Sequence, residues 1–218
     1  MNISVLGTGM VGRALAGRLS ELGHDVVMGT RDPDETRSRG DETPAFLAAH
    51  PAIRLATFGD AAAAGDVVVN ASGGTVALDV LARAGAEALA GKVLVDVSNP
   101  LDFSEGFPPT LFVKDTDSLG EQIQRAFPEA RVVKALNTLN ADLMVHPERL
   151  PEPTTVFVSG NDPDAKATVT ELLRGFGHAD ILDLGDITTA RGTEMFLALW
   201  VRAMAALDTP TFNLRIVR

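Results

Sequence analysis

Closely spaced glycines at residues 7–12, with the sequence GTGMVG, constrain the fold of this chain more than any other feature. The residues before them, 2–6, have the apolar composition of a buried strand. Residues 10–22 place apolar side chains three and four positions apart, as a helix requires. A G-x-G-x-x-G motif between a strand and a helix is typical of a dinucleotide-binding α/β unit. The sequence therefore predicts that such a unit opens the chain.

The three glycines of this motif have separate physical roles. Gly7 permits the tight turn, Gly9 lets a pyrophosphate approach the backbone, and Gly12 allows the helix and the strand to pack closely. The helix that follows presents unpaired N–H groups and a partial positive charge to an anion. We predict a dinucleotide site here; a glycine-rich turn without a ligand is the alternative.

The rest of the chain alternates between short β-rich runs and longer helical runs. Further strands are predicted at residues 25–28, 53–57, 66–70, 92–97, 131–136, 155–159 and 181–184. Helices are predicted at residues 44–49, 76–89, 118–126, 163–174 and 187–207. This alternation predicts an α/β, Rossmann-like, doubly wound and mostly parallel sheet of about eight strands, with a small C-terminal helical part.

No repeat, low-complexity tract or linker divides the chain, so we expect residues 1–218 to form a single domain. Residues 1–100 are the predicted dinucleotide-binding half, and residues 101–218 are predicted to extend the same sheet. Two segments are expected to be irregular loops: residues 32–44, rich in Asp, Arg and Pro, and residues 98–117. A loop as long as the second usually covers a site.

The end of the second predicted strand indicates which dinucleotide binds. An NAD site carries Asp or Glu about twenty residues beyond the glycine motif, where the carboxylate accepts from the ribose hydroxyls. Thr30 and Arg31 stand there instead, which suits the extra 2′-phosphate of NADP. Arg37 and Arg39 follow in the next segment and could close over that phosphate. Asp32 is a complication, because it could pair with Arg31.

The composition excludes several classes of function. The 218 residues include no Cys, which excludes a disulfide framework, a thiolate metal site and a cysteine nucleophile. They include no Tyr, which excludes the Tyr-x-x-x-Lys chemistry of short-chain dehydrogenases. The net charge of -10 argues against nucleic acid as a partner, because neutralising phosphates needs a basic face. No export signal or membrane span is predicted, and we expect a cytoplasmic protein.

No acid–base pair is evident in the sequence. The four histidines are scattered without metal-ligand spacing, so no metal is expected and no residue is assigned as a catalytic acid or base. Reduction of a carbonyl usually needs a proton donor beside the hydride, whereas hydride transfer between two cofactors mainly needs two rings held face to face. The pattern therefore favours transfer between a nicotinamide and a second cofactor.

Several segments along the chain carry a resemblance to a known family. They are residues 7–12 with 14–16, 29–32, 96–101, 133–138, 157–162, 183–186, 190–191 and 212–218. Over nearly its whole length the chain resembles the NADPH-dependent reductases of the deazaflavin coenzyme F420, also called F420:NADP oxidoreductases. The resemblance implies a homodimeric oxidoreductase, with NADP on the N-terminal half and the deazaflavin in a second-substrate cleft formed by residues 101–218.

The resemblance also implies which residues hold each cofactor. Those holding NADP would be Thr8, Gly9, Met10, Val11, Gly12, Thr30, Arg31, Ala71 and Ser72. Those lining the second-substrate pocket would be Asn99, Pro100, Asn137, Thr138 and Leu139, with Arg191 near the entrance. Coenzyme F420 or a flavin would be the second substrate, since the family is also similar to the cytosolic reductase domain of membrane ferric reductases.

Two other functions stay open on the sequence. One is an NADPH-dependent imine or carbonyl reductase resembling pyrroline-5-carboxylate reductase, which shares the glycine motif but usually carries a long helical dimerisation domain not visible here. The other is a non-catalytic NADP-binding protein, because the glycines that bind a dinucleotide look the same in both.

Overall fold

The computed structural model describes residues 1–218 and contains one eight-stranded sheet and one short hairpin. The strands of the sheet are β1 (Asn2–Leu6), β2 (Asp25–Thr30), β3 (Arg54–Thr57), β4 (Val67–Asn70), β5 (Val93–Asp96), β8 (Arg131–Ala135), β9 (Thr155–Gly160) and β10 (Asp180–Gly185). The hairpin pairs β6 (Leu101–Asp102) with β7 (Thr110–Leu111) and lies in the long segment that the sequence predicted to be irregular. Each of the eight predicted strands overlaps a strand of the sheet, and the α/β fold is confirmed.

The strands lie in the order β10-β9-β8-β5-β4-β1-β2-β3. Neighbours from β8 to β3 are parallel, whereas β9 is antiparallel to β8 and β10 is parallel to β9. The chain winds outward from β1 in one direction and then returns to β4 on its other side. Ligands in open α/β sheets bind beyond the carboxyl ends of the strands at such a reversal. Because β9 and β10 run the opposite way, they begin at this same edge.

The helices are α1 (Met10–Glu21), α2 (Pro33–Ser38), α3 (Thr43–Ala49), α4 (Phe58–Ala64), α5 (Ala77–Ala84), α6 (Ala86–Leu89), α7 (Leu119–Ala126), α8 (Ala141–Val145), α9 (Pro163–Phe176) and α10 (Ala190–Leu207). Gly85, with φ of 94°, separates α5 from α6, where the sequence predicted one continuous helix. A residue with a positive φ ends a helix because its backbone cannot continue the right-handed turn.

The prediction of a loop over residues 32–44 was wrong, because α2 and the start of α3 lie there. The Asp32 side chain accepts from the backbone N–H groups of Asp34 and Glu35, and Pro33 occupies the first turn of α2. An N-cap carboxylate followed by proline is a helix-start signal that outweighs a polar composition. The same kind of cap begins α8, which the sequence did not predict: the Asn140 side chain accepts from the Leu143 N–H at 2.8 Å.

Alternate residues of the central strands enter two separate apolar clusters. Val67 and Val69 of β4 belong to one cluster with Leu15 and Leu19 of α1, and Val68 belongs to the other. Side chains alternate across a strand, so the two clusters lie on opposite faces of the sheet. The central strands are buried on both faces, which explains why they read as continuous valine runs.

Two irregular segments lie over the carboxyl edge of the sheet. One is residues 98–117, which includes the hairpin; the other is the C-terminal segment 209–218. The backbone N–H of Thr155, at the start of β9, donates to the carbonyl of Leu214, and the N–H of Ile216 donates to the Thr155 hydroxyl. Among the helices, not one combines the length and the apolar character needed to cross a membrane.

Candidate functional site

The glycine motif forms a turn that side chains could not enter. Gly7 has φ of 121°, and a Cβ there would lie 2.7 Å from the carbonyl oxygen of Ala71. A Cβ on Gly12 would lie 2.1 Å from the carbonyl oxygen of Gly7. Gly9 precedes α1 and has nothing within 4 Å of its would-be Cβ, so the approach to the helix N-terminus is open. The positive φ of Gly7 and the close contact at Gly12 fit the tight turn and the close packing that the sequence predicted, and the open space at Gly9 leaves room for the predicted pyrophosphate.

A cavity of about 720 Å³ lies next to this turn, over the carboxyl ends of the central strands. One wall is formed by the first turn of α1 and by the loops after β4, β5 and β8. Its residues are Met10, Val11, Ala71, Ser72, Asn99 and Asn137. The facing wall comes from α10 and the C-terminal segment: Leu197, Trp200, Met204, Pro210 and Thr211. Most of the lining is apolar, as is usual for pockets that hold flat ring systems.

The cavity brings together most of the residues expected around the two reacting rings. Met10, Val11, Ala71, Ser72, Asn99, Asn137 and Leu139 all line it. Pro100 and Thr138 are buried beside it without lining it. Arg191 does not line it either: its guanidinium donates two hydrogen bonds to Glu121, at 2.8 and 2.5 Å.

A second, smaller cavity of about 250 Å³ lies on the other side of the glycine turn. Its lining includes Gly7, Thr8, Thr30, Arg31 and Arg39. This position, beyond the end of β2, is where the adenosine ribose of a dinucleotide lies in folds of this kind. Two guanidinium groups therefore stand where a 2′-phosphate would need them.

The side chains at the tip of β2 have defined partners. The Thr30 hydroxyl lies 2.8 Å from that of Thr36, which donates in turn to the carbonyl of Asp32. The Asp32 carboxylate caps α2 and does not pair with Arg31, which removes the complication noted in the sequence. Arg31 makes no ion pair and no hydrogen bond within the protein, so its guanidinium is free to bind a ligand.

The next two arginines behave differently from each other. Arg39 reaches back to the glycine turn, where its Nη2 donates to the Thr8 hydroxyl at 2.6 Å. Arg37, which the sequence also assigned to cofactor binding, does not line the cavity; its exposed guanidinium lies 3.9 Å from Asp34 within α2. Residue 37 is helical, and the helix turns its side chain toward solvent. A loop, as predicted, would not have fixed that direction.

A buried ionic network that the sequence did not reveal lies behind the large cavity. Lys134 of β8, with only 1% of its side chain exposed, lies 2.8 Å from both Asp96 and Glu194. Burial acts to lower the pKa of Lys134, but the charges of Asp96 and Glu194 more than offset it, so this pKa lies above its usual value. Lys134 is therefore a buried cation between two carboxylates.

Each carboxylate of this network is surrounded by hydrogen-bond donors. Asp96 accepts from the Asn70 amide at 2.9 Å and from the backbone N–H and hydroxyl of Ser98. Glu194 accepts from the backbone N–H groups of Leu119 and Gly120 at the start of α7, at 2.7 and 3.0 Å. Donors on every side suit the ionised form of a carboxylate. The network thus joins β4, β5, β8, α7 and α10 at one point.

Two asparagines of the cavity wall bind each other. The Asn99 amide donates to the carbonyl of Asn137 at 2.8 Å, and the Asn137 amide donates to Asn99 Oδ1 at 3.0 Å. The Asn137 amide also donates to the carbonyl of Thr193 on α10. These contacts fix the loops after β5 and β8 relative to α10, so the cavity has a preformed polar side.

The facing wall was not predicted from the sequence. Trp200 of α10 stacks on Phe212 of the C-terminal segment, with ring centroids 5.3 Å apart. The Asn140 amide donates to the carbonyl of Pro210 and holds that segment beside α8. The apolar spacing of α10 predicted a helix, but spacing alone does not say which face lines a cavity.

The fold and these two cavities are typical of one class of protein: α/β oxidoreductases with space for a dinucleotide at a glycine turn. Comparison with known proteins agrees. The family described as "NADP oxidoreductase coenzyme F420-dependent" matches residues 2–100. A crystal structure of a protein from Arthrobacter sp. FB24, provisionally described as an F420-dependent NADP reductase, is 57% identical, with a TM-score of 0.98 and 100% of both chains covered.

Curated relatives point the same way. The F420-dependent NADP reductase of Methanocaldococcus jannaschii is 29% identical over 92% of this chain and 91% of its own. Metalloreductase STEAP3 of Rattus norvegicus is 30% identical over 96% of this chain, which spans only 38% of the rat protein. An imine reductase of Streptomyces aurantiacus, at 20% identity and a TM-score of 0.66, shares the fold alone. The chain belongs to the F420-dependent NADP oxidoreductase family and is an NADP-dependent oxidoreductase.

Proposed function

We propose that this protein transfers a hydride between NADP(H) and coenzyme F420, and that a flavin can replace the deazaflavin as the second substrate. One observation carries the proposal: an apolar cavity of about 720 Å³ opens beside the glycine turn and is lined by residues from the ends of β4, β5 and β8. Pockets for drug-sized ligands typically have volumes of about 300–1,000 Å³. The cavity is large enough for a nicotinamide ring and part of a flat tricyclic ring beside it.

The NADP preference rests on charges around the smaller cavity. Arg31 has no partner in the protein, and Arg39 lines the same space. Three carboxylates, of Asp32, Glu35 and Asp79, also line it. The residue at the end of β2 itself is Thr30, and the Asp32 carboxylate is occupied as the N-cap of α2. A guanidinium binds a phosphate with two parallel hydrogen bonds, and this geometry favours a 2′-phosphate over a free hydroxyl.

The chain's own residues orient the rings and exclude water. The reduced nicotinamide supplies the hydride when it is bound. Met10 and Val11 provide an apolar surface on one side, and Trp200 provides one on the other. Asn99 and Asn137 hold the strand-end loops in place through their mutual hydrogen bonds. Two rings held face to face need little further catalysis, because positioning alone supplies much of the rate enhancement.

The second substrate meets a neutral surface in this cavity. No Lys or Arg lines it, and its one charged residue, Asp142, pairs with Arg149. An apolar ring gains binding free energy from such burial, whereas an anionic tail would gain none there. We therefore expect the ring of F420 or of a flavin to occupy the cavity and any charged tail to extend out of it.

Rapid mixing tests the proposal directly. The NADPH-loaded protein is mixed anaerobically with F420, FMN or FAD, and the nicotinamide and acceptor absorbances are followed together. We expect both to change at equal rates with F420. NADPH binding without turnover for any of the three would support a non-catalytic NADP-binding protein and contradict the proposal.

Three further expectations belong to the same proposal. Residues 1–218 act as one unit, in which residues 1–100 bind the dinucleotide and residues 101–218 complete the second-substrate cleft. The family resemblance implies a homodimer, which light scattering on the purified protein tests. A cytoplasmic location remains a prediction that fractionation of cells would check.

A further inference from the structure

The buried network behind the large cavity carries an unbalanced charge. It contains two carboxylates, Asp96 and Glu194, and one ammonium group, Lys134, each with no more than 2% of its surface exposed. The neighbouring pair of Glu121 and Arg191 is balanced. The partial positive charge at the start of α7, which Glu194 contacts, offsets part of one carboxylate. A net negative charge therefore remains in a region that water does not reach.

This charge lies one residue away from the cavity surface. Ser98 lines the cavity, donates to Asp96 through its backbone N–H and hydroxyl, and accepts from Lys134 through its carbonyl at 2.6 Å. Ser72 also lines the cavity and donates at 2.6 Å to Asn70, which donates to Asp96. Both serines follow central strands of the sheet, at the edge where the nicotinamide half of a dinucleotide lies in this kind of fold.

The two redox states of a nicotinamide differ in charge. Loss of a hydride breaks one C–H bond of the reduced ring and sends two electrons and one proton together to the acceptor. The reduced ring is neutral, and the oxidised ring carries one positive charge. A fixed negative charge in a region of low dielectric attracts the second form and leaves the first nearly unaffected.

We propose that the network of Asp96, Lys134 and Glu194 makes this site favour oxidised over reduced nicotinamide. The inference rests on the proposed NADP site, but it requires only that NADP(H) binds, and not that F420 is the acceptor. Its consequence is that bound NADPH is a stronger hydride donor than free NADPH. The network acts through charge and contacts neither ring.

Equilibrium binding of NADP⁺ and NADPH to the folded protein tests the inference. Glu194→Gln removes one negative charge and keeps the size of the side chain. We expect this variant to bind NADP⁺ about three- to tenfold more weakly relative to NADPH, as expected for one charge acting through a partly buried path. Asp96→Asn should shift the same ratio in the same direction. Asp117→Asn, which removes a half-buried carboxylate paired with Arg125 near α7, is the matched control and should leave the ratio unchanged.

A measurement on the unaltered protein covers the case in which a core variant does not fold. That protein should bind NADP⁺ at least as tightly as NADPH, and tenfold tighter binding of NADPH would overturn the inference. So would folded Glu194→Gln or Asp96→Asn protein with an unchanged ratio, because a merely structural role would weaken both ligands equally. Absence of any NADP(H) binding would instead contradict the proposed function and this inference together, whereas normal binding without turnover would contradict the proposed hydride transfer and leave this inference standing.

Discussion

Arg39 donates through Nη2 to the hydroxyl of Thr8 across 2.6 Å, and thereby ties the segment after α2 to the glycine turn. Its Nε lies 3.4 Å from Asp41, which orients the guanidinium without neutralising it fully. The contact places a cation at the rim of the smaller cavity before any ligand arrives. Because the side chain is already held in place, binding a phosphate there costs little further ordering.

Replacing Arg39 should therefore weaken NADPH binding. We expect Arg39→Ala to raise the Kd for NADPH about tenfold, which corresponds to the lower end, about 1.5 kcal/mol, of the contribution of a charge-assisted hydrogen bond. NADH, which lacks the 2′-phosphate, should be affected much less. Arg37→Ala is the matched control, because that side chain points to solvent beside Asp34. A larger effect of Arg37→Ala than of Arg39→Ala, measured by calorimetry, would contradict the assignment.

Arg31 should have the larger effect of the two cavity arginines. Its guanidinium has no partner within the protein, so its removal leaves no unpaired group there. The substitution should therefore change only the binding free energy of the ligand. We expect Arg31→Ala to weaken NADPH binding by about 10- to 100-fold and NADH binding far less. Equal losses for both cofactors would show that Arg31 does not bind the 2′-phosphate.

The dinucleotide half could be predicted from the sequence because its signals are local. The roles of Gly7, Gly9 and Gly12 follow from a six-residue motif, and the structure shows close backbone contacts at Gly7 and Gly12 and open space at Gly9. The valine runs of β4 and β5 identify buried parallel strands without any knowledge of their neighbours. Local patterns gave a wrong prediction where two of them conflict. At α2 the polar composition indicated a loop, but the helix cap determined the structure.

The second half of the site depends on contacts between residues far apart in the chain. Lys134 binds Asp96 from 38 residues away, and Glu194 binds Leu119 from 75 residues away. Nothing in the sequence near Lys134 distinguishes it from a lysine at the end of an exposed strand. The family resemblance placed Arg191 at the pocket entrance, but the sequence could not show that Glu121 occupies its guanidinium.

Asn137 should affect the second substrate and the stability of the protein together. Asn137→Ala removes the hydrogen bonds that the Asn137 amide donates to Asn99 Oδ1 and to the carbonyl of Thr193. We expect the free energy of unfolding to fall by about 1–3 kcal/mol and the KM for F420 to rise, with little change in the Kd of NADPH. Asn161→Ala, at the opposite edge of the sheet, is the control and should not change that KM. An unchanged KM in folded Asn137→Ala protein would contradict its place in the cavity wall.

Asp117 should stabilise the protein at neutral pH and lose this effect in acid. The hydrogen bond from Arg125 lowers the pKa of Asp117 from 3.8 to about 2. A carboxyl whose pKa is lower in the folded than in the unfolded state stabilises the folded state at pH values above its unfolded-state pKa. This contribution is lost as the pH falls from about 4 to about 2. We expect Asp117→Asn to lower the free energy of unfolding by about 1 kcal/mol at pH 7, because solvent screens the pair. The difference from the unaltered protein should vanish near pH 2; a constant difference in denaturant titrations across this range would contradict the role of the charge.

Trp200 should report on the occupancy of the large cavity. It is the only Trp, and the chain has no Tyr, so its emission is free of overlapping signals. Phe212→Ala removes the ring stacked on Trp200 and should shift the emission maximum, because it opens the indole to solvent.

An aromatic pair contributes about 0.5–1.5 kcal/mol beyond area burial, so the Kd of the second substrate should rise by about two- to tenfold in this variant. The nicotinamide-free fragment 2′-phospho-ADP-ribose, which reaches only the smaller cavity, should bind as before. Equal weakening of both ligands would indicate a general loosening of the fold and would contradict the placement of the ring site between α10 and the strand ends.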